Sequence, residues 1–200
     1  MLALVHPEPT SLLALGAMAA AFIISLMALA ITRSRSGKAP SVAEKKSRGS
    51  MLGVFVQMIG FAAVGFGPIV ASLDPHSTLA ISEAGVVAVL MAFTILLFFS
   101  ASRAMGKNWS IVARTREDHQ LVTWGPFAAI RHPIYTGLFA FMLAMAVAFG
   151  HWRGLILGVP LYWIGTWMRV SIEERMLRGQ FGAAYDAYAA RVKRFVPGVI

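Results

Sequence analysis

The sequence predicts an all-α, polytopic membrane protein with about five transmembrane helices, its N-terminus outside and its C-terminus in the cytoplasm. Three observations carry this reading. The 200 residues are 58% hydrophobic and only 14% charged, where soluble domains run near ~25% charged. So few polar groups cannot tile an aqueous surface, which excludes an ordinary cytosolic enzyme and a secreted binding module. The apolar residues fall in long runs, and the basic residues fall almost wholly between alternate runs. Cysteine is absent, which excludes disulfides, thiolate nucleophiles and cysteine zinc sites.

The runs map onto spans in order. Leu12 to Thr32 and Met51 to Leu73 carry no charge, the second being interrupted only by the polar Gln57. A third runs from about Leu79 to Ser100, with Glu83 near one end. Each is long enough for a hydrocarbon core about 30 Å thick. Ile134 to Gly150 and Gly154 to Met168 are shorter and flank the turn Gly150-His151-Trp152-Arg153, so they read as a membrane hairpin. The chain divides at about residue 100. Residues 1–100 hold three spans and a basic loop at 33–50; residues 101–200 hold a cytoplasmic loop, the 134–168 hairpin and a cytoplasmic tail.

Charge orients the map. Seventeen of the eighteen Lys and Arg lie in the loop after span one, the loop after span three and the tail, leaving Arg153 alone in the 150–153 turn. By the positive-inside rule these segments are cytoplasmic. Most of the +9 net charge is therefore topological, and no nucleic-acid partner is needed to explain it. The leader Met1 to Thr10 has no cation before the apolar run, so span one reads as an anchor rather than a cleaved signal.

Chemistry-bearing residues gather in two cytoplasmic segments. The first closes the 103–133 loop with Arg131-His132-Pro133-Ile134-Tyr135. Proline suits a first helical turn, so Arg131 and His132 fall at a helix N-terminus, where free N–H groups attract an anion. The same two residues would also serve as ordinary headgroup-zone side chains. The second segment is Arg169-Val170-Ser171-Ile172-Glu173-Glu174-Arg175. Arg169 and Glu173 are spaced i, i+4 and share a helix face; Glu174 has the spacing to pair with Arg178. Leu177, Phe181, Tyr185 and Tyr188 then form an apolar stripe, with Gly179 and Gly182 placed to weaken or break the helix. Gly65-Phe66-Gly67 resembles half a nucleotide loop, but lies within span two and reads as a close-packing site. The five histidines show no metal spacing.

From Arg131-His132-Pro133-Ile134-Tyr135, Glu173-Glu174 and Phe181-Gly182-x-x-Tyr185-x-x-Tyr188, the chain resembles the isoprenylcysteine carboxyl methyltransferases and the related phospholipid N-methyltransferases. The likeness extends over about residues 103–200, taking in Gly106-Lys107-Asn108-Trp109-Ser110, His119-x-Leu121-Val122 and Arg194-Phe195-x-Pro197. It implies S-adenosylmethionine as methyl donor, held on the cytoplasmic side. It implies a cofactor site of His119, Leu121, Val122, Gly125, Arg131, His132, Pro133 and Tyr135, with the Glu173–Glu174 pair facing the cofactor. Arg169 and Glu173 match positions near the transferred methyl.

The residue types suit that chemistry. The donor carries an ammonium, a carboxylate and a sulfonium, so a glutamate can meet the ammonium while His132, Arg131 or helix-end amides meet the carboxylate. A carboxylate acceptor is already ionised near neutral pH and needs only a cation such as Arg169 to aim it. An amine acceptor must lose a proton, with Glu173 in place to take it. The reading is thus a methyltransferase for a lipophilic or prenylated carboxylate partner drawn from membrane lipid. A phospholipid amine or small thiol is the rival acceptor, a nicotinamide-dependent sterol-type reductase the rival reaction, and a non-catalytic scaffold the third class.

Overall fold

The computed structural model describes residues 7–35, 48–106 and 120–199. His119, Lys107-Asn108-Trp109-Ser110 and most of the basic loop after span one lie outside them. Six α-helices follow in order: α1 Leu12–Arg35, α2 Arg48–Gly65, α3 Thr78–Met105, α4 Pro133–Phe149, α5 Leu155–Phe181 and α6 Ala183–Arg191. Among the described residues, extended pairing is limited to two isolated bridges, Thr10 with Ala71 and Ile130 with Lys193. The all-α expectation holds.

Two helical stretches, Thr78–Met105 and Trp152–Phe181, are long and apolar enough to cross a membrane; Leu12–Ala28, Gly49–Gly65 and Pro133–Phe149 are shorter apolar helices. Their outward faces are greasy: Phe55, Met58, Val89, Leu96 and Ile156 are all exposed. Large apolar side chains facing outward along several helices are what a lipid solvent selects.

Span two is shorter than the apolar run suggests. Its helix stops at Gly65 rather than continuing to Leu73, because Pro68 has no N–H to donate and its ring excludes the helical conformation just before it. The chain beyond turns extended and pairs with the N-terminal arm, Thr10 N donating to Val70 O at 2.9 Å and Leu73 N to Thr10 O at 3.1 Å. Of the suspected packing glycines, Gly65 does sit tightly, with Met145 Cε 2.7 Å from where a Cβ would stand. Gly67 lies past the helix, against the His151 ring. That ring closes this end of the bundle: Nδ1 is 2.7 Å from Val64 O and Nε2 3.0 Å from Pro68 O.

Helices α4 and α5 follow one another through a short turn at residues 150–154. Gly150 ends α4 at φ +69, a left-handed conformation natural to glycine. The expected tail helix is split, because Gly182 at φ +50 separates α5 from α6. Tyr185 and Tyr188 therefore lie buried on α6, on a different axis from Leu177 and Phe181.

Helices from both halves of the sequence interleave: α2 lies along α5, α3 along α4, and α1 along α3. The α2–α5 seam is built on glycine. A Cβ at Gly165 would stand 2.6 Å from Gly53 O and 2.8 Å from Gln57 N; one at Gly60 would stand 3.0 Å from Gly158 O. Small residues let helix backbones approach where lipid gives no hydrophobic drive to association. Gly165→Ala should therefore force the helices apart and lower stability by about 1–3 kcal/mol, read as a fall in the detergent-unfolding midpoint. Gly85→Ala is the control, since nothing lies within 4 Å of a Cβ there.

Candidate active site

Three chain segments meet where α4 begins. The short 3-10 turn Gly125–Ala128 leads into Ile130, which pairs as a bridge with Lys193 of the tail. Arg131 N donates to Lys193 O at 2.8 Å and His132 N to Arg194 O at 2.9 Å. Pro133 then opens α4 fully buried, as a residue with fixed φ and no N–H should. The bridge presents Arg131, His132 and Arg194 together to the side of α5 that carries Glu174.

Glu174 gathers them. Arg131 donates to its Oε1 from Nε at 3.1 Å and Nη2 at 2.9 Å. Arg194 donates from Nε to Oε1 at 3.0 Å and from Nη2 to Oε2 at 2.7 Å. His132 Nε2 lies 3.2 Å from Oε1. Burial pushes the Glu174 carboxyl up, but hydrogen bonds from His132, Arg194 and Arg131 outweigh it and hold the group well below its ordinary 4.5. The Arg178 pairing allowed by spacing does not form; Arg178 bonds Asp186 at 2.7 Å, because Glu174 points inward while Arg178 is exposed. Arg131 is likewise committed within the protein, its Nη1 donating to Ala189 O at 2.7 Å and Val192 O at 2.5 Å. Both residues face each other rather than an open surface.

Glu173 differs from its neighbour. Tyr135 Oη donates to its Oε1 at 2.5 Å, His132 Nδ1 stands 3.7 Å from its Oε2, and its side chain stays 22% exposed against 5% for Glu174. The His132 ring thus lies between the two carboxylates, packed between Tyr135 and Phe195 at centroid distances of 5.9 Å each. Arg169 lies over the Tyr135 ring, 5.1 Å from its centroid, and its Nη1 donates to Gln57 Oε1 at 3.0 Å. The i, i+4 pair Arg169 and Glu173 therefore meet through Tyr135, one on its ring face and the other on its hydroxyl.

The structure brings Arg131, His132, Pro133, Tyr135, Arg169, Glu173 and Glu174 into one group. Leu121 and Val122 are half-buried on the segment leading to Gly125, which at φ +63 packs against Ala104 at the end of α3. This segment joins the group through Tyr188, whose Oη donates to Phe127 O at 2.7 Å. Burial pushes the Tyr188 phenol up to about 12, so it stays a neutral donor. Sequence reasoning missed Arg194, Gln57 and Thr166 as parts of the site. Gln57 carried the clearest signal, the one side-chain amide in an otherwise largely apolar span.

As a place for a sulfonium donor bearing an ammonium and a carboxylate, the group offers a partly open carboxylate, an imidazole beside it and a helix N-terminus without a side-chain cap. Those residue types fit. Glu173 is the carboxylate able to meet a cation; Glu174 already has its cations.

The chain belongs to the phospholipid methyltransferase family, which it matches over residues 84–184, half of its length. Curated relatives are named protein-S-isoprenylcysteine O-methyltransferase. That of Schizosaccharomyces pombe is 31% identical over 100 residues, 49% of this chain and 42% of the relative. That of Tribolium castaneum is 34% identical over 96 residues, 45% and 32% respectively. Protein-S-isoprenylcysteine O-methyltransferase B of Arabidopsis thaliana is 34% identical over 89 residues, 44% and 45%. The matched part is thus less than half the length of each of these relatives. Among solved structures, the eukaryotic intramembrane Ras methyltransferase, isoprenylcysteine carboxyl methyltransferase, shares the fold. Its TM-score is 0.54 at 21% identity, over 86% of this chain and 60% of that one.

Because Glu174 compensates two arginines in a buried place, Glu174→Gln should destabilise the fold by about 3–5 kcal/mol, and Glu173→Gln, at the partly exposed position, by much less. The depressed Glu174 pKa adds stability that is complete above its ordinary value and lost as pH falls below it. Unfolding midpoints measured from pH 7 downward should fall below about pH 4.5 in the wild type, and this acid-sensitive component should be missing in Glu174→Gln.

Proposed function

We propose that this chain is an integral membrane methyltransferase that takes its methyl group from S-adenosylmethionine and gives it to the carboxylate of a lipophilic, prenylated acceptor. The observation that carries the proposal is the partly open Glu173 carboxylate, held by Tyr135 and flanked by His132, with Arg169 across the same tyrosine ring. Family membership and the names of the relatives support the reaction class. The charge map supports five crossings with the N-terminus outside, which puts this group on the cytoplasmic side. A water-borne donor and a bilayer-borne acceptor would meet at that interface.

When bound, the donor supplies a methyl group on a sulfonium sulfur, which leaves the chain to align the acceptor and exclude water. Glu173 meets the donor's positive charge, with His132 and the first-turn amides of α4 toward its carboxylate. Leu121, Val122, Gly125, Pro133 and Tyr135 form the walls, and His119 completes them from the adjoining segment. Arg131 and Glu174 belong to the same site as the pair that fixes the His132 ring. Arg169 aims the acceptor's carboxylate, which is ionised near neutral pH and needs no base. An amine acceptor is the second reading. It would use Glu173 to take a proton, and the tyrosine hydrogen bond on Glu173 Oε1 counts against that role.

Detergent-purified protein should bind S-adenosylhomocysteine at micromolar concentration, unaffected by nicotinamide dinucleotides; folded protein that binds none removes the proposal. His132→Ala and Glu173→Gln should each remain folded and lose turnover, and unimpaired methyl transfer in either would misplace the site. Arg169→Lys should damage transfer to a carboxylate far more than to an amine, because the planar two-pronged donor is lost. Equal damage to both acceptors would remove the role given to Arg169.

A further inference from the structure

The outward face of α5 changes character along its length. Ile164, Trp167, Ser171, Arg175 and Arg178 recur at spacings of three and four and are all exposed, so they form one helical stripe. Its order is apolar, aromatic, hydroxyl, cation, cation. At the helical rise, Ser171 stands about 6 Å past Trp167 and Arg175 about 12 Å past it. The headgroup layer on one side of a bilayer is about 5–8 Å thick. With Trp167 at the hydrocarbon boundary, where indole rings settle, Ser171 lies at headgroup depth and the long Arg175 side chain reaches back to it.

Arg194 joins this stripe from the tail. It lies over the Trp167 ring, 4.9 Å from the centroid, and the tryptophan remains 50% exposed. Its Nε and Nη2 are engaged with Glu174 at 3.0 and 2.7 Å. Its Nη1 has no partner among the described residues, and the side chain stays 34% exposed. Arg178 is near enough to act on Arg194 as a like charge. The acid it meets, Asp186, is held in an exposed pair, a contact that water weakens. Arg175 makes no ion pair with a described residue.

We propose that this face is a binding site for an anionic phospholipid, its phosphate among Arg175, Arg178 and the outer edge of Arg194, and its glycerol region against Trp167. Charge complementarity selects this occupant, since guanidinium groups pair with phosphate oxygens. Ile164, on the hydrocarbon side of the tryptophan, suits an acyl chain and has no use for a soluble anion. The lipid is a ligand here and not the methyl acceptor. Its phosphate steadies Arg194, Arg194 holds Glu174, and Glu174 fixes the His132 ring. The charge of the surrounding leaflet thereby reaches the candidate site. This inference rests on the crossing proposed for α5 and not on which acceptor is methylated.

The full-length protein, purified in neutral detergent, is titrated with phosphatidylglycerol and with phosphatidylcholine of the same chains, and bound lipid is counted by native mass spectrometry. Phosphatidylglycerol has no amine, so it cannot stand in for an amine acceptor. It should bind at least about fivefold more tightly than phosphatidylcholine and should raise the unfolding midpoint. Arg175→Gln should weaken phosphatidylglycerol binding roughly fivefold, the effect of one basic residue at an anionic surface, and leave phosphatidylcholine unchanged. Trp167→Leu should weaken it roughly two- to fivefold. Arg103→Gln, which removes an exposed cation from the end of α3, should leave it unchanged.

Equal affinity for the two lipids overturns the inference, as does an Arg175→Gln loss no larger than that of Arg103→Gln. If Trp167→Leu does not purify as a single species, Arg175→Gln, a change at an exposed position, decides alone. Protein that alkaline carbonate strips from membranes removes the α5 crossing and the lipid site together. Membrane-embedded protein with no preference for the anionic lipid removes the site alone.

Discussion

The Glu174 carboxylate receives two arginines and faces one histidine, and those partners come from chain segments far apart in sequence. Arg131 and His132 lead into α4, Arg194 lies in the tail, and Glu174 sits on α5. A buried charge costs several kcal/mol unless paired and fully hydrogen-bonded, so this carboxylate tolerates little rearrangement. Once it is satisfied, the order of the region follows: the Ile130–Lys193 bridge is clamped, the tail is held under α4, and the His132 ring is turned with its other nitrogen toward Glu173. One glutamate holds the frame, and its chain neighbour is left with an exposed edge.

The tail follows the same physics. Gly182 breaks the helix, which lets α6 fold back and bury Tyr185 and Tyr188 beneath the site. Thr136 Oγ1 donates to Phe195 O at 3.0 Å, and Phe195 packs edge-on to Trp163 at 4.9 Å. Arg194 lies over the Trp167 ring at 4.9 Å, so its contact with α5 is both ionic and aromatic. The last residues thus behave as part of the helical bundle rather than as a loose cytoplasmic extension.

Much of this was legible in advance, and the parts that were not share a cause. The helices, the hairpin and the break near Gly182 follow from local periodicity, proline and glycine. The truncation of α2 was encoded locally too, in Pro68, but hydropathy alone passes over it because Ile69, Val70 and Leu73 remain apolar. The site cluster was legible as motif positions, while the pairings within it were not. Spacing allowed Glu174 with Arg178, yet Glu174 found Arg131 at a separation of 43 residues and Arg194 at 20.

Composition, apolar runs and charge placement by themselves pointed to an all-α membrane chain with its candidate site residues at one end of the helices. Those properties are sums over many residues and survive any local error. Only the tertiary structure decided the division of labour in the site: that Glu174 is closed and Glu173 open, and that Gln57, 112 residues away, holds Arg169. Adjacent glutamates point about 100° apart on a helix, so neighbours in sequence meet different surroundings. What those surroundings contain is set by the packing of α2, α4 and the tail around α5, which no single segment of the sequence carries.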